Sequence, residues 1–546
     1  MTDDETRVEW RKWGPEAFEE ARADEKPVLL SLTATWCDGC HEMDVETYGE
    51  PRIAANVNDD FVPVRVDVDR HPRVRERYNM GGFPSTVFCT PSGELITGAM
   101  YLGPDGMRQV LDRVRETWSE KGDSSGRVPR ALADDPTPEG PVESHIEEHL
   151  AGQLDEKYDD RFAGWGDGTK FPMPRTIEFA LKRSRRQAVE TLRTIAETLF
   201  DDVEGGFFRY ADGRDWSDPH HEKLLDSNAA LVRAFANGYL YTGDDDLLNP
   251  AMETRDFLAD RLWNGAAFGG SVGPGDENYY GQTAEERAES AGPRRDLTAY
   301  AGANALAADA LLTLTAYTDD GTARDYAVRT LDFLDTRLID DGDVTHFDAG
   351  ETTGETHLLE DHARTVSAFV RARQVLGDDW YLDRAQAVAD VAIDELKADG
   401  GAFRDGLASG SGLLDRPLRP LDANVEMANA LCDLAAATGE EPYEAAAQEA
   451  IGAFAGAWDR IGVQVAGYGS VAARVTRPTL VVAVGATAGS DLHRAALRVA
   501  DHEKVVVPDA DGVSASEAVV SLGDRERTVT TPEQLMTAVS DITDGV

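Results

Sequence analysis

The chain has 546 residues, too many for one hydrophobic core, so two or three domains are expected. It carries 101 acidic and 54 basic residues, a formal net charge of −47, which argues against nucleic acid or anionic membranes as partners. Arginine dominates over lysine, and so acidic a surface repels itself unless molar salt shortens the Debye length to about 3 Å. This composition indicates the cytosol of a halophile, as in halophilic archaea.

Neither an export signal nor a membrane anchor is predicted. The sequence has no apolar stretch of 18 residues, as a membrane-spanning helix would need, and its acidic start, Met1 to Glu5, is the opposite of a signal peptide. Four cysteines in so long a chain exclude a disulfide scaffold. We therefore expect a cytoplasmic protein without a membrane partner.

The first chemical motif is the cysteine pair in residues 36–40, Trp-Cys-Asp-Gly-Cys. It follows an apolar run at 28–32 that predicts a buried strand, and Cys37 stands where the next helix would begin. Because a helix N-terminus carries unpaired N–H groups and a partial positive charge, it favours a thiolate there, and a lowered thiol pKa makes such a pair redox-active. Farther on, Pro84 precedes a β-branched and aromatic run, which suits a cis X–Pro bond beside the dithiol.

Three other interpretations of the cysteine pair stay open. Cys40 and His41 complete a C-x-x-C-H string, the attachment site of c-type haem, although that attachment normally follows export. A structural zinc site needs four ligands, and only Cys89 and scattered histidines could complete one. The pair could also be a redox-silent remnant of its fold. We predict no metal and no cofactor.

Between Glu9 and Trp118 the sequence resembles thioredoxin, because the strand, the W-C-x-x-C helix start and the later proline occur in that order. The resemblance implies a thioredoxin-like α/β domain, which we place at 1–120. The chain departs from thioredoxin at Ser31, where thioredoxin keeps a buried acid that helps to move protons. It departs again at Asp38-Gly39, in place of the usual Gly-Pro.

A different texture follows a linker at 121–141 that is rich in Gly, Ser, Pro and Asp. Residues 142–472 are mostly Ala- and Leu-rich helix, in which a unit of helix, turn, helix and Gly-aromatic loop repeats roughly every 55 to 80 residues. Such units stack on their neighbours, and five or six alternating hairpins predict an all-α ring, an (α/α)6 toroid. Alternating strand and helix patterns at 473–546 predict a small α/β C-terminal unit.

Polar residues recur at the starts of the helices that would line this ring. In a ring, all inner helix N-termini point to one mouth, where these side chains would converge. The alternative is that they are ordinary helix caps, since Asp and Asn are preferred at helix starts. The set comprises Asp226, Asn228, Asn304, Glu360, His362, Asp422 and Asn424.

The densest polar cluster precedes the first clear inner helix. His220, Glu222 and Lys223 could supply an acid, a base and a cation for a sugar or carboxylate ligand, with Trp216 as a stacking face. Lysine is scarce in this chain, which argues against a merely solubilising role for Lys170 and Lys223. The alternative is a solvated loop with incidental charges.

These motifs resemble the spermatogenesis-associated protein 20-like family. The resemblance rests on W-x-x-P-H-x-E-K at 216–223, Lys-Phe-Pro at 170–172, Gly-Gly-Phe at 205–207, the opening at 13–18 and Gly-Phe-Pro at 82–84. It implies a thioredoxin-like domain joined to a six-hairpin glycosidase-like barrel, similar to N-acylglucosamine 2-epimerases and unsaturated glucuronyl hydrolases. The chain departs from the family at His221, where the family has an aromatic residue, and at 225–228, Leu-Asp-Ser-Asn for Tyr-Asp-Gln-Ala.

Three hypotheses of function follow. In the first, the protein is a redox enzyme in which Cys37 attacks a disulfide and Cys40 resolves it, with Trp36 and Pro84 as support and a disulfide-bearing protein as partner. In the second, the barrel is an epimerase- or glycosidase-like enzyme acting on a carbohydrate-like small molecule, and the thioredoxin domain is regulatory or structural. The third is a binding scaffold without turnover.

The second hypothesis assigns residues to two roles. The catalytic residues would be His220, Glu222, Asp226 and His362. The substrate-binding residues would be Lys170, Trp216, Lys223, Asn228, Asn304, Glu360, Asp361 and Asn424.

Overall fold

The protein is described by a computed structural model that covers residues 6–132, 136–276, 278–350 and 352–543. An α/β unit, a ring of helices and a second, smaller α/β unit follow one another along the chain. The predicted fold class, a thioredoxin-like domain followed by an (α/α)6 toroid and an α/β appendage, is confirmed. The predicted boundaries at 120, 142 and 472 stay predictions.

The first unit is a five-stranded sheet with helices on both faces. Its order is β1-β3-β2-β4-β5. Strands β1, β3 and β2 are parallel, β4 is antiparallel to β2, and β5 is antiparallel to β4. The central strand β2 is buried along its whole length, as expected for a Val- and Leu-rich run covered on both faces. The elements are β1 (Arg11–Lys12), α1 (Pro15–Ala23), β2 (Val28–Thr33), α2 (Asp38–Met43), α3 (Pro51–Asp60), β3 (Val62–Asp67), α4 (Pro72–Tyr78), β4 (Ser85–Cys89), β5 (Leu95–Ala99) and α5 (Pro104–Lys121).

The second unit is built from alternating inner and outer helices, joined by long loops on one side of the ring and short turns on the other. Four inner helices have 18 residues each, and all four end at a left-handed residue, Gly243, Asp319, Gly377 or Gly439, which stops a helix at low cost. The elements are α6 (His145–Lys157), α7 (Pro174–Arg183), α8 (Arg185–Thr198), α9 (Leu225–Thr242), α10 (Asp245–Phe257), α11 (Ala284–Glu289), α12 (Ala301–Thr318), α13 (Gly321–Phe333), α14 (Leu359–Leu376), α15 (Asp379–Leu396), α16 (Leu421–Thr438), α17 (Glu441–Gly452) and α18 (Gly467–Thr476).

The inner helices close into a ring. In the order α7, α9, α12, α14, α16, α18, each packs against the next, and α18 packs against α7. Helices α8, α10, α13, α15 and α17 form the outer layer with α6, which packs on α18. Because short turns reverse the chain after each 18-residue inner helix, the inner helices share one direction and their N-termini lie at one mouth.

The loops at this mouth carry short paired strands. They pair as β6 with β7, β8 with β9, β9 with β10, β11 with β14 and β12 with β13. The pieces are β6 (Tyr210–Ala211), β7 (Pro219–His220), β8 (Lys223–Leu224), β9 (Ser271–Val272), β10 (Arg295–Asp296), β11 (Ala299–Tyr300), β12 (Ile339–Asp340), β13 (Asp343–Val344) and β14 (Phe347–Asp348).

The last unit is a four-stranded sheet, in the order β16-β15-β17-β18, with two helices. Strands β15 and β16 are parallel, and the other two pairs are antiparallel. Its elements are β15 (Val481–Val484), α19 (Asp491–Leu497), β16 (Val505–Pro508), β17 (Ala518–Leu522), β18 (Arg525–Val529) and α20 (Pro532–Thr543).

The two α/β units cover opposite mouths of the ring. At the N-terminal mouth, Arg77 on α4 donates two hydrogen bonds to the Asp405 carboxylate, of 2.7 and 3.2 Å. At the other mouth, Tyr241 at the end of α9 meets His502 of the last unit at 2.9 Å, and Lys182 meets Asp501 at 2.8 Å. The ring interior is therefore closed at both ends by folded polypeptide.

Candidate functional site

The cysteine pair lies at the start of α2. Cys37 is the N-cap residue, and its sulfur accepts a hydrogen bond from the Cys40 amide at 3.2 Å. The two cysteines form a disulfide, and their exposed fractions are 5% for Cys37 and 2% for Cys40. When the bond is reduced, the helix start favours negative charge on the Cys37 sulfur.

The predicted cis proline is confirmed, because the Phe83–Pro84 bond is cis. It lies beside the dithiol: a Cβ added to Gly39, between the two cysteines, would come within 3.3 Å of the Pro84 ring. The Trp36 ring packs edge-on against Phe83, with the ring centroids 5.7 Å apart. Trp36 and Pro84 therefore both lie beside the dithiol, and their supporting role stays a prediction.

Loops of the helical ring contact the dithiol helix from outside the domain. The Arg209 guanidinium lies 4.4 Å from the centroid of the Trp36 ring, and Arg294 Nη1 lies 2.9 Å from His41 Nδ1. The cysteine pair therefore faces an interface between two units of the protein.

A half-buried carboxyl group contacts Trp36, the residue before Cys37, although Ser31 leaves the central strand without an acid. Asp69, just after β3, accepts a hydrogen bond of 2.8 Å from the Trp36 indole. Burial and the neighbouring Asp67 carboxylate raise the pKa of Asp69 to about 7. Asp69 was not among the site residues predicted from the sequence. The available signal was that parallel strands β2 and β3 end at the same edge of the sheet, which puts 67–69 beside the residues that lead to Cys37.

His220 and Glu222 belong to the same interface. His220 stacks on Tyr210, with ring centroids 4.0 Å apart, and its Nε2 lies 3.0 Å from Asp212. Glu222 accepts a hydrogen bond of 3.2 Å from Arg209, the residue that covers Trp36. The structure thus brings this predicted pair together, 3.9 Å apart, on the side of the dithiol.

Lys170, Lys223 and Trp216 hold loops of the ring, so the structure does not support their predicted place at a ligand. Lys223 is fully buried and donates to Asp201 at 2.6 Å and to a loop carbonyl at 2.7 Å; burial lowers the pKa of Lys223 to about 8. Lys170 makes the same kind of contact with Asp159, at 3.1 Å. The buried Trp216 indole donates to a backbone carbonyl at 2.8 Å. The two lysine charges and the Trp216 indole are thus already engaged by partners inside the fold.

The predicted asparagines neither cap helices nor face the mouth. Asn228 is fully buried; its Oδ1 accepts from the Phe207 amide at 2.7 Å, and its Nδ2 donates to the Phe207 carbonyl at 3.1 Å. Each asparagine is the fourth residue of its helix and holds a Gly-aromatic loop in this way. The other two such pairs are Asn304 with Phe268, and Asn424 with Phe403.

His362 is the fourth residue of α14, the position that asparagine takes in the other helices. It is fully buried, and its Nδ1 lies 2.9 Å from the Leu358 carbonyl oxygen. Burial lowers the pKa of His362. It makes different contacts from His220, so the two histidines predicted as catalytic do not share partners in the structure.

Asp226 and Glu360 lie at the N-terminal mouth, as predicted, and Asp361 lies there with them. Glu360 forms an ion pair with Arg364, which also feels the charge of Asp226. Asp361 binds His346 Nδ1 at 2.8 Å, and His346 Nε2 meets the Asp69 carbonyl oxygen at 2.8 Å. Glu360 and Asp361 line a cavity of about 310 Å³ beneath α4.

A second cavity, of about 340 Å³, lies inside the ring itself. Each inner helix contributes at least one charged side chain to its lining. Asp422 was named from the sequence, whereas a set of six, one on each helix, was not. The six are Arg175, Arg233, Asp309, Arg371, Glu426 and Arg474. The available signal was a polar residue at the ninth or thirteenth position of each 18-residue inner helix.

Within the described ranges, no helix is both long enough and apolar enough to cross a membrane. The same residues contain no group of three or more His, Cys, Asp or Glu side chains placed to hold a metal ion.

Fold and site together define a thioredoxin-like dithiol domain joined to an (α/α)6 barrel. Residues 1–134 match the family model Thioredox_DsbH, described as a protein of unknown function, DUF255. Spermatogenesis-associated protein 20 of Homo sapiens is 32% identical over 294 residues, 47% of this chain and 37% of that protein. The match thus spans little more than a third of the human relative, and the resemblance predicted from the motifs is confirmed.

Two further likenesses each cover one part of the chain. The thiol:disulfide interchange protein DsbD of Yersinia pestis is 28% identical over 101 residues, 18% of this chain and 17% of that protein. The structure of cellobiose 2-epimerase from Spirochaeta thermophila covers 56% of this chain and 83% of its own, with a TM-score of 0.44 and 19% identity. The assignment of the ring to the (α/α)6 class rests on its own helix packing.

Proposed function

We propose that the protein is a thiol–disulfide oxidoreductase whose dithiol works at the interface with the helical ring. The supporting observation is the position of Cys37, at the start of α2 and beside cis-Pro84, with Arg209 and Arg294 of the ring against the same helix. The ring loops would then hold the substrate disulfide against Cys37. A disulfide-bearing protein is the partner that we propose, and the cytoplasm the location.

The exchange takes two steps. The Cys37 thiolate attacks one sulfur of the substrate disulfide, whose S–S bond breaks and whose first thiolate leaves. Cys40 loses its proton and attacks the Cys37 sulfur, the second substrate thiolate leaves, and the Cys37–Cys40 disulfide of the structure forms. The substrate gains two electrons from the two cysteines, and an external dithiol reductant must reduce the pair again.

Single-turnover reduction tests this proposal. The reduced full chain, in molar potassium chloride, is mixed with glutathione disulfide as a small substrate or insulin as a protein substrate, and the released thiols are measured. Cys37→Ser should abolish release, and Cys40→Ser should stop at a mixed disulfide on Cys37. Cys432→Ser is the matched control and should react like the wild type, because burial raises the pKa of that thiol to about 11. Undiminished release by Cys37→Ser would refute the proposal.

A carbohydrate-like small molecule is the second partner that we propose. The polar cavity inside the ring favours it, since the side chains that line it offer both hydrogen-bond donors and acceptors.

A further inference from the structure

The ring cavity has a lining that folding alone does not require. Arg233 donates to Glu178 at 2.8 and 3.1 Å and also binds Asp309. Arg371 binds Asp309 at 3.1 Å. Burying such ion pairs costs a large desolvation free energy, and apolar residues of similar volume often stabilise a core as well or better. A binding role explains why the ring keeps them.

Every guanidinium group of the lining is paired, and the lining carries two further carboxylates, Asp422 and Glu503. The four guanidinium groups of the lining, on Arg175, Arg233, Arg371 and Arg474, are matched by the carboxylates of Glu178, Asp309, Glu426 and Asp433. Glu503, at the bottom, is paired with Lys182 and Arg183. No guanidinium of the lining thus has a charge left over for an anionic ligand.

Several of these paired groups still have surface directed into the cavity. The exposed fractions of the side chains are 34% for Arg175, 19% for Arg371 and 18% for Glu426. Ser470 and Asn429 add neutral donors and acceptors to the lining. A hydroxyl group both donates and accepts hydrogen bonds, so a molecule with several hydroxyls matches this mixture of guanidinium, carboxylate, amide and hydroxyl groups.

Size restricts the ligand further. A volume of about 340 Å³ is at the small end of the range for ligand pockets. Asp422 and Glu426 line both this cavity and the one beneath α4, whose roof carries Arg75 and Glu76 of the thioredoxin-like domain. The two cavities therefore adjoin at Asp422 and Glu426, where the thioredoxin-like domain lies over the ring.

We propose that the ring cavity binds a neutral polyhydroxylated molecule of monosaccharide size, held by Arg175, Arg371, Glu426 and Asn429. This inference rests on the second partner proposed above, and it names the site, the size and the charge class of that ligand.

Calorimetric titration of the full chain in molar potassium chloride tests the inference. The neutral probes are D-glucose and D-mannose, and the charged probes are D-glucuronate and D-glucosamine. We expect at least one neutral sugar to bind about tenfold more tightly than either charged sugar. If none of the four probes binds, both the inference and the proposed second partner are overturned. Tighter binding of a charged sugar overturns the neutral class alone.

A cavity-filling variant locates the binding. Ser470→Leu places a larger side chain in the lining without breaking an ion pair, and it should weaken sugar binding by at least about tenfold. Ser367→Leu, in the lining on α14, is the second variant should the first not fold. Ser540→Leu, on the exposed face of α20, is the matched control. Unchanged binding in both folded lining variants would overturn the assignment of the site. Disulfide reduction should be unaffected by Ser470→Leu, so this result is separate from that of the redox test.

Discussion

The dithiol and the ring cavity are two buried polar regions that are built in opposite ways. The dithiol takes its reactive groups from five consecutive residues at one helix start, 36–40. The cavity takes at least one charged side chain from each of six helices, spread between residues 175 and 474. This protein therefore concentrates its reactive groups in one segment, whereas its cavity forms only when the whole ring closes.

The largest effect should come from breaking the shared ion pairs of the cavity. Arg233→Met leaves the buried carboxylates of Glu178 and Asp309 without this partner, which should lower the free energy of unfolding by about 3–5 kcal/mol. Chemical denaturation in molar potassium chloride measures it. Arg113→Met, at an exposed position on α5, is the control and should stay within about 0.5 kcal/mol of the wild type. Equal losses in the two variants would contradict this prediction, because Arg233 would then contribute no more to stability than an exposed arginine.

A pH-dependent effect should come from His346 of the ring, which contacts Asp361 and the Asp69 carbonyl oxygen of the thioredoxin-like domain. Burial alone would lower the pKa of His346, but the Asp361 carboxylate raises it to about 9, above the value of about 6.5 in an unfolded chain. The resulting stabilisation, on the order of 1–3 kcal/mol, is fully present below about pH 6.5 and is lost as the pH rises through about 9.

Denaturation at a series of pH values checks this contribution. His346→Gln should remove this part of the pH dependence, whereas the control His145→Gln, on α6, should keep it. A wild-type slope retained in His346→Gln would assign the pH dependence to another group.

A smaller effect should come from the buried asparagines of the ring. Asn304 makes three hydrogen bonds of 2.9 Å to backbone groups of Phe268 and Tyr300, and Asn304→Ala leaves these groups unpaired, at a cost of about 1–2 kcal/mol. Thermal unfolding of Asn304→Ala should show this loss, while the exposed Asn249→Ala should not. A loss of sugar binding without a loss of stability would instead return Asn304 to the ligand site predicted from the sequence.

The sequence predicted the dithiol well because its parts are close together in the chain. Trp36, Cys37 and Cys40 lie in one short segment, and Pro84 is recognisable because it directly precedes a strand-forming run. The ring was also predictable, since the hairpin repeat and the Gly-aromatic loops recur along the chain. Both predictions depend on short-range sequence patterns, which can be recognised without knowing how the helices pack.

The cavity was not predicted because its members are near one another only after the ring closes. Asp309 stands alone in an Ala- and Leu-rich helix, and its partners Arg233 and Arg371 are each more than sixty residues away in the sequence. Conversely, Lys170 and Lys223 looked like ligand residues because they are scarce and polar. The structure shows that full burial against an aspartate explains them equally well.

The central claim, that Cys37 is the nucleophile of a dithiol at this interface, is tested most directly by alkylation of the reduced full chain. Iodoacetamide is added at neutral pH, and labelling of each cysteine is followed by mass spectrometry. The account predicts that Cys37, at the helix start, is labelled about tenfold faster than Cys40, while the buried Cys89 and Cys432 stay unlabelled. Labelling of Cys40 as fast as Cys37, or faster, would contradict it.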